Sequence, residues 1–482
     1  MSQASIPNRY SDVIERVKYQ IRQKVWLPGE RVPSIRKMSR LAKVSPATVT
    51  KAYELLEVEG WIYAKPQSGY YVAAHFNQLE PSSASGLPQV SNQAISINRH
   101  VFDVLKAIKQ PDVIPFGSAF PDPVLFPVDE LGRRLSRVIK SMPLNSGVTD
   151  LPPGCLELRR VIAQRYANEG LSVSADDIVI TTGATEALGV SLAAVTQPGD
   201  TVVIESPAFY GALQAIERFH LKAIELPLGD GGGVDIDALA NIVEQHDVKA
   251  CWFMSKFQNP SATTMTIEQL TLIYQLLAAK QIPLIEDDVY SELYFGSDKP
   301  PSFKSIDEHG LVLHCSSFSK CLAPGFRVGW VLAGRFSKQV EELQFMSTLS
   351  VAVPNQQTLA AFVKAGGYDN HLRQLRRVLE KRVSATMTAI QNDFPAGTTV
   401  TMPEGGYFLW VTLPIEIDTS KLLEQLLGQY RISVAPGTLF ASSRQFKHCM
   451  RLNASFELND EKRKALKQLG DILHRAKKGC ER

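Results

Sequence analysis

The chain has few cysteines, and their spacing excludes two classes of cross-linked protein. Six cysteines are scattered through 482 residues without a C-x-x-C pair, so we expect neither a disulfide scaffold nor a structural zinc site. The histidines show no ligand spacing, and no metal is assigned. No apolar run approaches the ~20 residues of a membrane-spanning helix. The polar first twenty residues do not resemble a signal peptide, and we expect a cytoplasmic protein with no membrane contact.

Glycine and proline are also sparse, at 31 and 28 residues, which excludes a fibrous or low-complexity chain. Positive charge is unevenly spread. Residues 1–75 hold 12 Lys and Arg against 6 Asp and Glu, whereas the rest of the chain holds 40 against 43. A polyanion is therefore the predicted partner of a small N-terminal domain. Residues 76–110 contain a polar stretch rich in Pro, Ser and Gly and are predicted to link it to a large domain at 111–482.

The basic segment has the pattern of three short helices followed by a hairpin. The helices are predicted at about 10–24, 35–42 and 47–59, and the strands at 61–64 and 69–72. This is the order of a winged helix-turn-helix, in which small polar side chains approach base edges and basic ones approach phosphates. A helical interaction domain with a solvated basic face is the alternative. The candidate DNA-binding residues are Arg36, Ser45, Thr48, Thr50, Lys51, Lys65 and Gln67.

Five short motifs in this segment resemble the GntR family of DNA-binding domains. Their order and spacing carry the resemblance, because none of them is specific alone. It implies double-stranded operator DNA as the partner. The motifs are LPGER at 27–31, PSIR at 33–36, TVTKAY at 48–53, LLE at 55–57 and GYYV at 69–72.

The large domain alternates short apolar runs with helical stretches, which predicts an α/β fold with a largely parallel sheet. Ligands of such sheets bind at the carboxyl ends of the strands. The predicted strands are 178–181, 201–205, 250–253, 283–286, 312–315 and 328–332.

Lys320 follows one of these strands directly, among three serines and seven residues before Arg327. Hydroxyls and a guanidinium suit a phosphate group, and a partly desolvated lysine can form a Schiff base. These are the requirements of a pyridoxal 5′-phosphate site. A strand–turn–helix at 181–187 also suits a phosphate.

Four more strand-end residues fit the same cofactor, although each has an ordinary structural alternative. Phe209 could stack on a pyridine ring or pack in the core. Asn259 could donate to the ring 3′ oxygen, or it could stabilise the turn in which it lies. Asp287 could pair with the ring nitrogen, or cap a helix, and Tyr290 could bond the 3′ oxygen.

Together these residues resemble the fold type I aminotransferase superfamily, class I/II branch, over roughly 110–482. The resemblance implies a large α/β part at about 145–345 and a smaller C-terminal α+β part at about 346–482. It implies the internal aldimine at Lys320, ring contacts from Phe209, Asn259, Asp287 and Tyr290, and a grip on an amino acid's carboxylate by Arg451. It places the cofactor's phosphate on Gly183, Ala184, Thr185, Ser317, Ser319 and Arg327.

One position departs from that family's pattern. Thr149 or Asp150 stands where such enzymes often carry a tyrosine that reaches the partner subunit's phosphate. Full transaminase activity is therefore less secure. The loop at 116–123 resembles the family's substrate-covering loop, in which Phe120 would narrow the pocket.

A GntR-type domain joined to an aminotransferase-like domain is similar to the MocR subfamily of transcription regulators. The resemblance implies a homodimer that binds pyridoxal 5′-phosphate and senses an amine or amino acid through aldimine exchange at Lys320. One alternative is an active aminotransferase (EC 2.6.1-like) that also binds DNA. The other is a regulator whose large domain only dimerises.

Overall fold

The described part of the chain divides into two compact units, one within residues 1–91 and one within residues 92–482. The computed structural model describes residues 9–22, 25–65, 68–73, 101, 105–106, 110, 112–142, 150–229, 232–400, 403–442 and 445–480. None of the described helices is both long and apolar enough to span a membrane.

The first unit is a winged helix-turn-helix, as the sequence predicts. Its elements are α1 (Arg9–Arg22), α2 (Ile35–Ala42), α3 (Pro46–Val58), β1 (Ile62–Lys65) and β2 (Gly69–Val72), and the two strands pair antiparallel.

The short helices of this unit begin at local sequence signals. The Ser34 hydroxyl accepts a hydrogen bond from the Lys37 amide at 3.3 Å, and Ser45 accepts one from Thr48 at 3.2 Å. Pro46 occupies the first turn of α3, where its missing N–H is not needed. These caps fix where α2 and α3 begin.

A single apolar core holds the first unit together. Val17 of α1, Met38 of α2 and Leu56 of α3 are all buried in it, with Trp61 beside the hairpin. The buried Tyr53 donates its hydroxyl to the Pro33 carbonyl at 2.7 Å, which ties α3 to the turn before α2. Each fully buried side chain of this size contributes about 1.5–3 kcal/mol.

The second unit is built on a seven-stranded sheet with the order β3-β9-β8-β7-β6-β4-β5. Every neighbouring pair is parallel except those of β9, which runs antiparallel to β3 and β8. The strands are β3 (Ile178–Thr181), β4 (Thr201–Ser206), β5 (Lys222–Pro227), β6 (Val248–Phe253), β7 (Leu284–Asp287), β8 (Val312–Ser317) and β9 (Gly329–Leu332).

Helices accompany this sheet: two precede β3, one lies between each consecutive pair of strands from β3 to β7, and two follow β9. In chain order they are α4 (Val128–Ser141), α5 (Leu156–Asn168), α6 (Ala184–Val195), α7 (Tyr210–Arg218), α8 (Ile236–Gln245), α9 (Ile267–Ala279), α10 (Ser337–Thr348) and α11 (Val353–Lys364).

A smaller antiparallel sheet follows, with the order β10-β11-β13-β12. Its strands are β10 (Thr399–Val400), β11 (Phe408–Thr412), β12 (Ala435–Pro436) and β13 (Cys449–Asn453), and its helices are α12 (Gly367–Asp393), α13 (Thr419–Gln425) and α14 (Asp460–Cys480). The segment before α4 packs against the core beside this sheet, where Ile114 forms an isolated β-bridge with Ile432.

Two features differ from the sequence pattern. Strand β5 was not predicted; it pairs only with β4, and its half-exposed side chains lack a continuous apolar run. Helix α11 and the first half of α12 pack on the core that includes Ile178 and Ile180 of the large sheet. The predicted boundary near residue 345, between a large and a smaller part of this unit, stays a prediction. The helices that follow that boundary still pack on the core of the large sheet.

Candidate functional site

The predicted site residues converge at one edge of the large sheet. Strands β3, β4, β6, β7 and β8 all run in the same direction, so their carboxyl ends share that edge. Gly183 follows β3, Phe209 follows β4, Asn259 follows β6, Asp287 ends β7 and Lys320 follows β8. This is the arrangement expected of a ligand site in an α/β sheet.

The amine of Lys320 lies in a desolvated, cationic environment. Its Nζ donates to the Ala119 carbonyl at 2.9 Å and lies 4.5 Å from the centre of the Phe120 ring. Burial lowers the pKa of Lys320 to about 7, and the cations of Arg451 and Arg327 act in the same direction, against the Asp287 carboxylate. A large share of this amine is therefore neutral, and nucleophilic, near neutral pH.

Asp287 presents an unbonded carboxylate oxygen in a buried place. Among the described residues, no hydrogen-bond partner reaches its Oδ1. Burial raises the pKa of Asp287 to about 7, and the neighbouring Asp288 raises it as well. A buried acid of this kind calls for a partner, and a protonated ring nitrogen would meet that need.

Asn259, Tyr290 and Arg451 form a hydrogen-bonded group. The Asn259 Oδ1 accepts from Arg451 Nη1 at 2.8 Å, and its Nδ2 lies 3.5 Å from the Tyr290 hydroxyl. Arg451 is fully buried on β13; its Nη2 donates to the Gly117 carbonyl at 3.1 Å, while its Nε finds no partner in the described chain. Burial lowers the pKa of Arg451 below its ordinary value. The Arg451 guanidinium, from a strand of the small sheet, thus lies next to the Asn259 amide, from the loop after β6 of the large sheet.

The residues predicted to hold a phosphate lie around Arg327. Its Nη1 donates to Ser319 Oγ at 3.2 Å, and its Nη2 donates to the Thr182 carbonyl at 3.3 Å. The backbone amide of Ser319 donates to Ser317 Oγ at 3.3 Å. Gly183, at φ +91°, precedes the first residue of α6, and a Cβ there would lie 2.6 Å from Arg327 Nη2.

The members of this group differ in exposure. Ser317 and Ser319 are buried, Ala184 is half-buried at the start of α6, and Thr185 is exposed. Helix α6 directs its free N–H groups towards this place. A helix N-terminus, a guanidinium and hydroxyls together suit a dianion.

Phe209 immediately precedes α7 and is half-buried, with its ring centre 4.8 Å from that of Tyr210. Asp150 is half-buried, and its carbonyl accepts from the Ser350 hydroxyl at 2.9 Å. Thr149 lies outside the described residues.

Several residues that the sequence reasoning missed support the site. The Tyr407 hydroxyl donates to the Ala119 carbonyl at 3.1 Å, and Asn453 Nδ2 donates to the carbonyls of Ser118 and Phe120. These bonds hold the loop at 116–123 beside Lys320. No local signal reveals them, because the partners lie hundreds of residues apart. Glu205, at the end of β4, was also missed, although an acid after an apolar strand is the signal that singled out Asp287.

The first unit offers a separate candidate interface at the start of α3. Ser45 and Thr48 share a hydrogen bond of 2.8 Å between their hydroxyls, and Thr50 Oγ1 donates to the Pro46 carbonyl. Arg36, Lys51 and Lys65 are exposed, and Lys65 lies 4.5 Å from the Tyr71 ring. Gln67 lies outside the described residues. The Ser45 hydroxyl is engaged as a cap, and Lys51 forms an exposed ion pair with Glu54 at 3.7 Å.

Comparison with known proteins identifies both units. The family model for bacterial regulatory proteins of the gntR family matches residues 9–72, and the model for aminotransferase class I and II matches residues 134–466. The HTH-type transcriptional regulator YdcR of Escherichia coli (strain K12) is 44% identical over 465 residues, which cover 96% of this chain and 99% of YdcR. The chain belongs to the MocR subfamily of GntR-type transcription regulators.

Solved structures confirm the fold of the MocR-type large unit as fold type I. The multiple substrate aminotransferase of Thermococcus profundus has a TM-score of 0.72 at 28% identity and covers 81% of this chain and 96% of its own. The kynurenine aminotransferase of Pyrococcus horikoshii, solved in complex with PMP, KYN and KYA, has a TM-score of 0.72 at 28% identity, with 80% of this chain and 95% of its own covered.

Proposed function

We propose that this protein is a DNA-binding transcription regulator that uses pyridoxal 5′-phosphate to sense an amine or amino acid. The observation that carries the proposal is the Lys320 amine, which lies at the edge where six strands end and whose pKa is lowered to about 7. When bound, the cofactor supplies an aldehyde that condenses with primary amines and a ring that withdraws electrons. An amine effector would compete with Lys320 for that aldehyde.

The residues present fit the cofactor at both of its ends. The unbonded, buried Oδ1 of Asp287 suits a protonated ring nitrogen. Gly183 leaves a space beside Arg327 that a Cβ would fill. In this proposal the phosphate contacts are Gly183, Ala184, Thr185, Ser317, Ser319 and Arg327, and the ring contacts are Phe209, Asn259, Asp287 and Tyr290.

Arg451 is the proposed recognition group for the effector. A guanidinium binds a carboxylate through two parallel hydrogen bonds, and Arg451 lies within hydrogen-bond distance of Asn259. An α-amino acid would place its amine towards Lys320 and its carboxylate on Arg451. An amine without a carboxylate would gain only the first of these contacts.

The winged helix-turn-helix is the proposed reader of a double-stranded operator. In this proposal α3 enters the major groove with Ser45, Thr48, Thr50 and Lys51 near base edges. Arg36 contacts phosphates, and Lys65 and Gln67 lie in the wing. A partner of this kind places the protein in the cytoplasm, with the chromosome.

We infer a homodimer as the working form. Two copies of a DNA-binding domain match the two half-sites of a palindromic operator. The second unit also keeps large apolar side chains exposed, which a subunit interface would cover. They include Val124, Val128, Ile139, Phe345 and Met346.

Absorbance spectroscopy tests the sensing role. The purified protein with added pyridoxal 5′-phosphate should show a visible band that shifts when a recognised amino acid is added, and Lys320→Ala should lack that band. Promoter DNA from the protein's own gene should then bind with altered affinity when the same amino acid is present. A protein that takes up no cofactor would refute the proposal.

A working aminotransferase is the second candidate, because Lys320, Asp287 and Arg451 are all in place. Conversion to the pyridoxamine form with release of a keto acid would support it. Under that reading Lys320→Ala must abolish product formation, and turnover at an unchanged rate would refute the role of Lys320.

A further inference from the structure

The loop that carries Asn259 has an unusual backbone. Phe257 and Ala262 both have positive φ, at +48° and +61°. Residues with a Cβ disfavour this left-handed conformation, which persists only where the surroundings impose it. Something must therefore hold residues 257–262 in place.

Gln258 makes the bonds that hold this loop. Its backbone amide donates to the Thr263 carbonyl at 2.9 Å, and its carbonyl accepts from the Ala262 amide at 2.6 Å. Its side-chain Oε1 accepts from the Ser261 amide at 2.7 Å, and its Nε2 donates to the Pro207 carbonyl at 2.7 Å. One buried amide thus joins the loop after β6 to the loop after β4.

Glu205 supports that amide from the end of β4. Its Oε2 accepts from Gln258 Nε2 and from the Met254 amide, each at 3.2 Å. The carboxyl is buried, and its Oε1 has no partner among the residues that the structure describes. Burial raises the pKa of Glu205 to about 8, so the group can remain in place without a buried charge at neutral pH.

We propose that Gln258, held by Glu205, is a positioning residue that sets the distance between Phe209 and Asn259. Pro207 lies two residues before Phe209, and Gln258 immediately precedes Asn259, so the Gln258 amide links the two predicted ring contacts. This inference rests on the proposed function, because both contacts are with the pyridine ring. Without the link, the strained loop relaxes and the Asn259 amide turns away from the ring oxygen.

Gln258→Leu tests the link, and Gln356→Leu is its matched control. Gln356 is also fully buried, accepts from the Cys155 amide at 2.9 Å and donates to the Val351 carbonyl at 2.8 Å. Gln356→Leu loses these two side-chain hydrogen bonds, and Gln258→Leu loses three, to Ser261, Pro207 and Glu205. Only the first should weaken pyridoxal 5′-phosphate binding, by roughly tenfold, and shift the pH midpoint of the bound cofactor's visible absorbance.

A double-mutant cycle shows whether Gln258 acts through Asn259. If it does, Gln258→Leu and Asn259→Ala together should weaken cofactor binding by about as much as Asn259→Ala alone. Glu205 gives a second, independent comparison. Glu205→Gln keeps an acceptor for Gln258 and should bind the cofactor nearly as the wild type does, whereas Glu205→Leu should resemble Gln258→Leu.

Three outcomes would overturn this inference while the proposed function stands. They are an unchanged affinity and absorbance midpoint in Gln258→Leu, an equal midpoint shift in Gln356→Leu, and strictly additive effects in the cycle. If Gln258→Leu does not fold, equal cofactor affinity of Glu205→Gln and Glu205→Leu overturns it instead. A wild-type protein that binds no pyridoxal 5′-phosphate refutes the proposed function itself.

Discussion

The pKa of Lys320 gives the sharpest quantitative prediction. Burial and the nearby cations of Arg451 and Arg327 lower it from 10.5 to about 7. Only the neutral amine attacks an aldehyde. With that pKa, about one tenth of the amine is neutral at pH 6 and about nine tenths at pH 8, whereas an ordinary lysine is only about 0.3% neutral at pH 8. Capture of pyridoxal 5′-phosphate should therefore accelerate about tenfold from pH 6 to pH 8 and then level off.

Removal of a cation should move this profile in a known direction. Arg451→Gln takes away one of the charges that lower the pKa of Lys320. The neutral fraction of the amine at pH 7 should then fall, and capture should slow there. Near pH 10 the two proteins should converge, because both amines are then largely neutral.

Stopped-flow absorbance after mixing cofactor-free protein with pyridoxal 5′-phosphate measures the capture rate. Division by the rate for a simple amine of known pKa at the same pH removes the cofactor's own ionisation. A rate that continues to climb about tenfold per pH unit between pH 8 and pH 9 would show an ordinary lysine and refute the reasoning.

Three further predictions concern other parts of the molecule. Gly183→Ala forces a Cβ at φ +91° to within 2.6 Å of Arg327, and should weaken cofactor binding by about 2 kcal/mol in an equilibrium titration. Gly189→Ala, whose Cβ would make only an ordinary contact with the Phe219 ring at 4.0 Å, should not. The raised pKa of Glu205 means that the stability contributed by its protonated carboxyl is lost as pH rises from 4.5 to about 8. Measured by urea unfolding between pH 5.5 and pH 8, the free energy of unfolding of Glu205→Gln should therefore rise relative to that of the wild type, by up to ~1.4 kcal/mol per pH unit. A difference between the two proteins that stays constant with pH would contradict this. Arg36→Ala should weaken binding to promoter DNA, and the slope of log binding constant against log salt concentration should fall in magnitude by about 1. Unchanged affinity and slope would rule out a phosphate contact.

Local signals account for what the sequence predicted well. Ser45 and Pro46 mark the start of α3 because a cap and a first-turn proline act within one helical turn. Lys320 was found because an apolar strand ends directly before it, and in a parallel sheet the strand ends converge. Such features depend on neighbours along the chain. The ends of the predicted helices and strands lie within two residues of those in the structure.

Features that depend on distant neighbours were not predictable in the same way. Tyr407 meets Ala119 across 288 positions, and Gln258 meets Glu205 across 53. Strand β5 is recognisable only from its pairing with β4. Side-chain hydrogen bonds between distant segments leave no periodicity in the sequence, so a single sequence considered alone does not reveal them.

Glu205 and Asp287 show most directly where local reasoning ends. Both acids stand at the end of an apolar strand, both are buried, and burial raises the pKa of each, to about 8 and about 7. Their surroundings then separate them. Each keeps one oxygen without a partner among the described residues. Gln258 and Met254 bond the other oxygen of Glu205, whereas Asp287 lies close enough to Lys320 for their charges to interact. The same sequence signal thus yields a supporting residue in one strand and a candidate cofactor contact in another, and only the neighbours brought by folding distinguish the two.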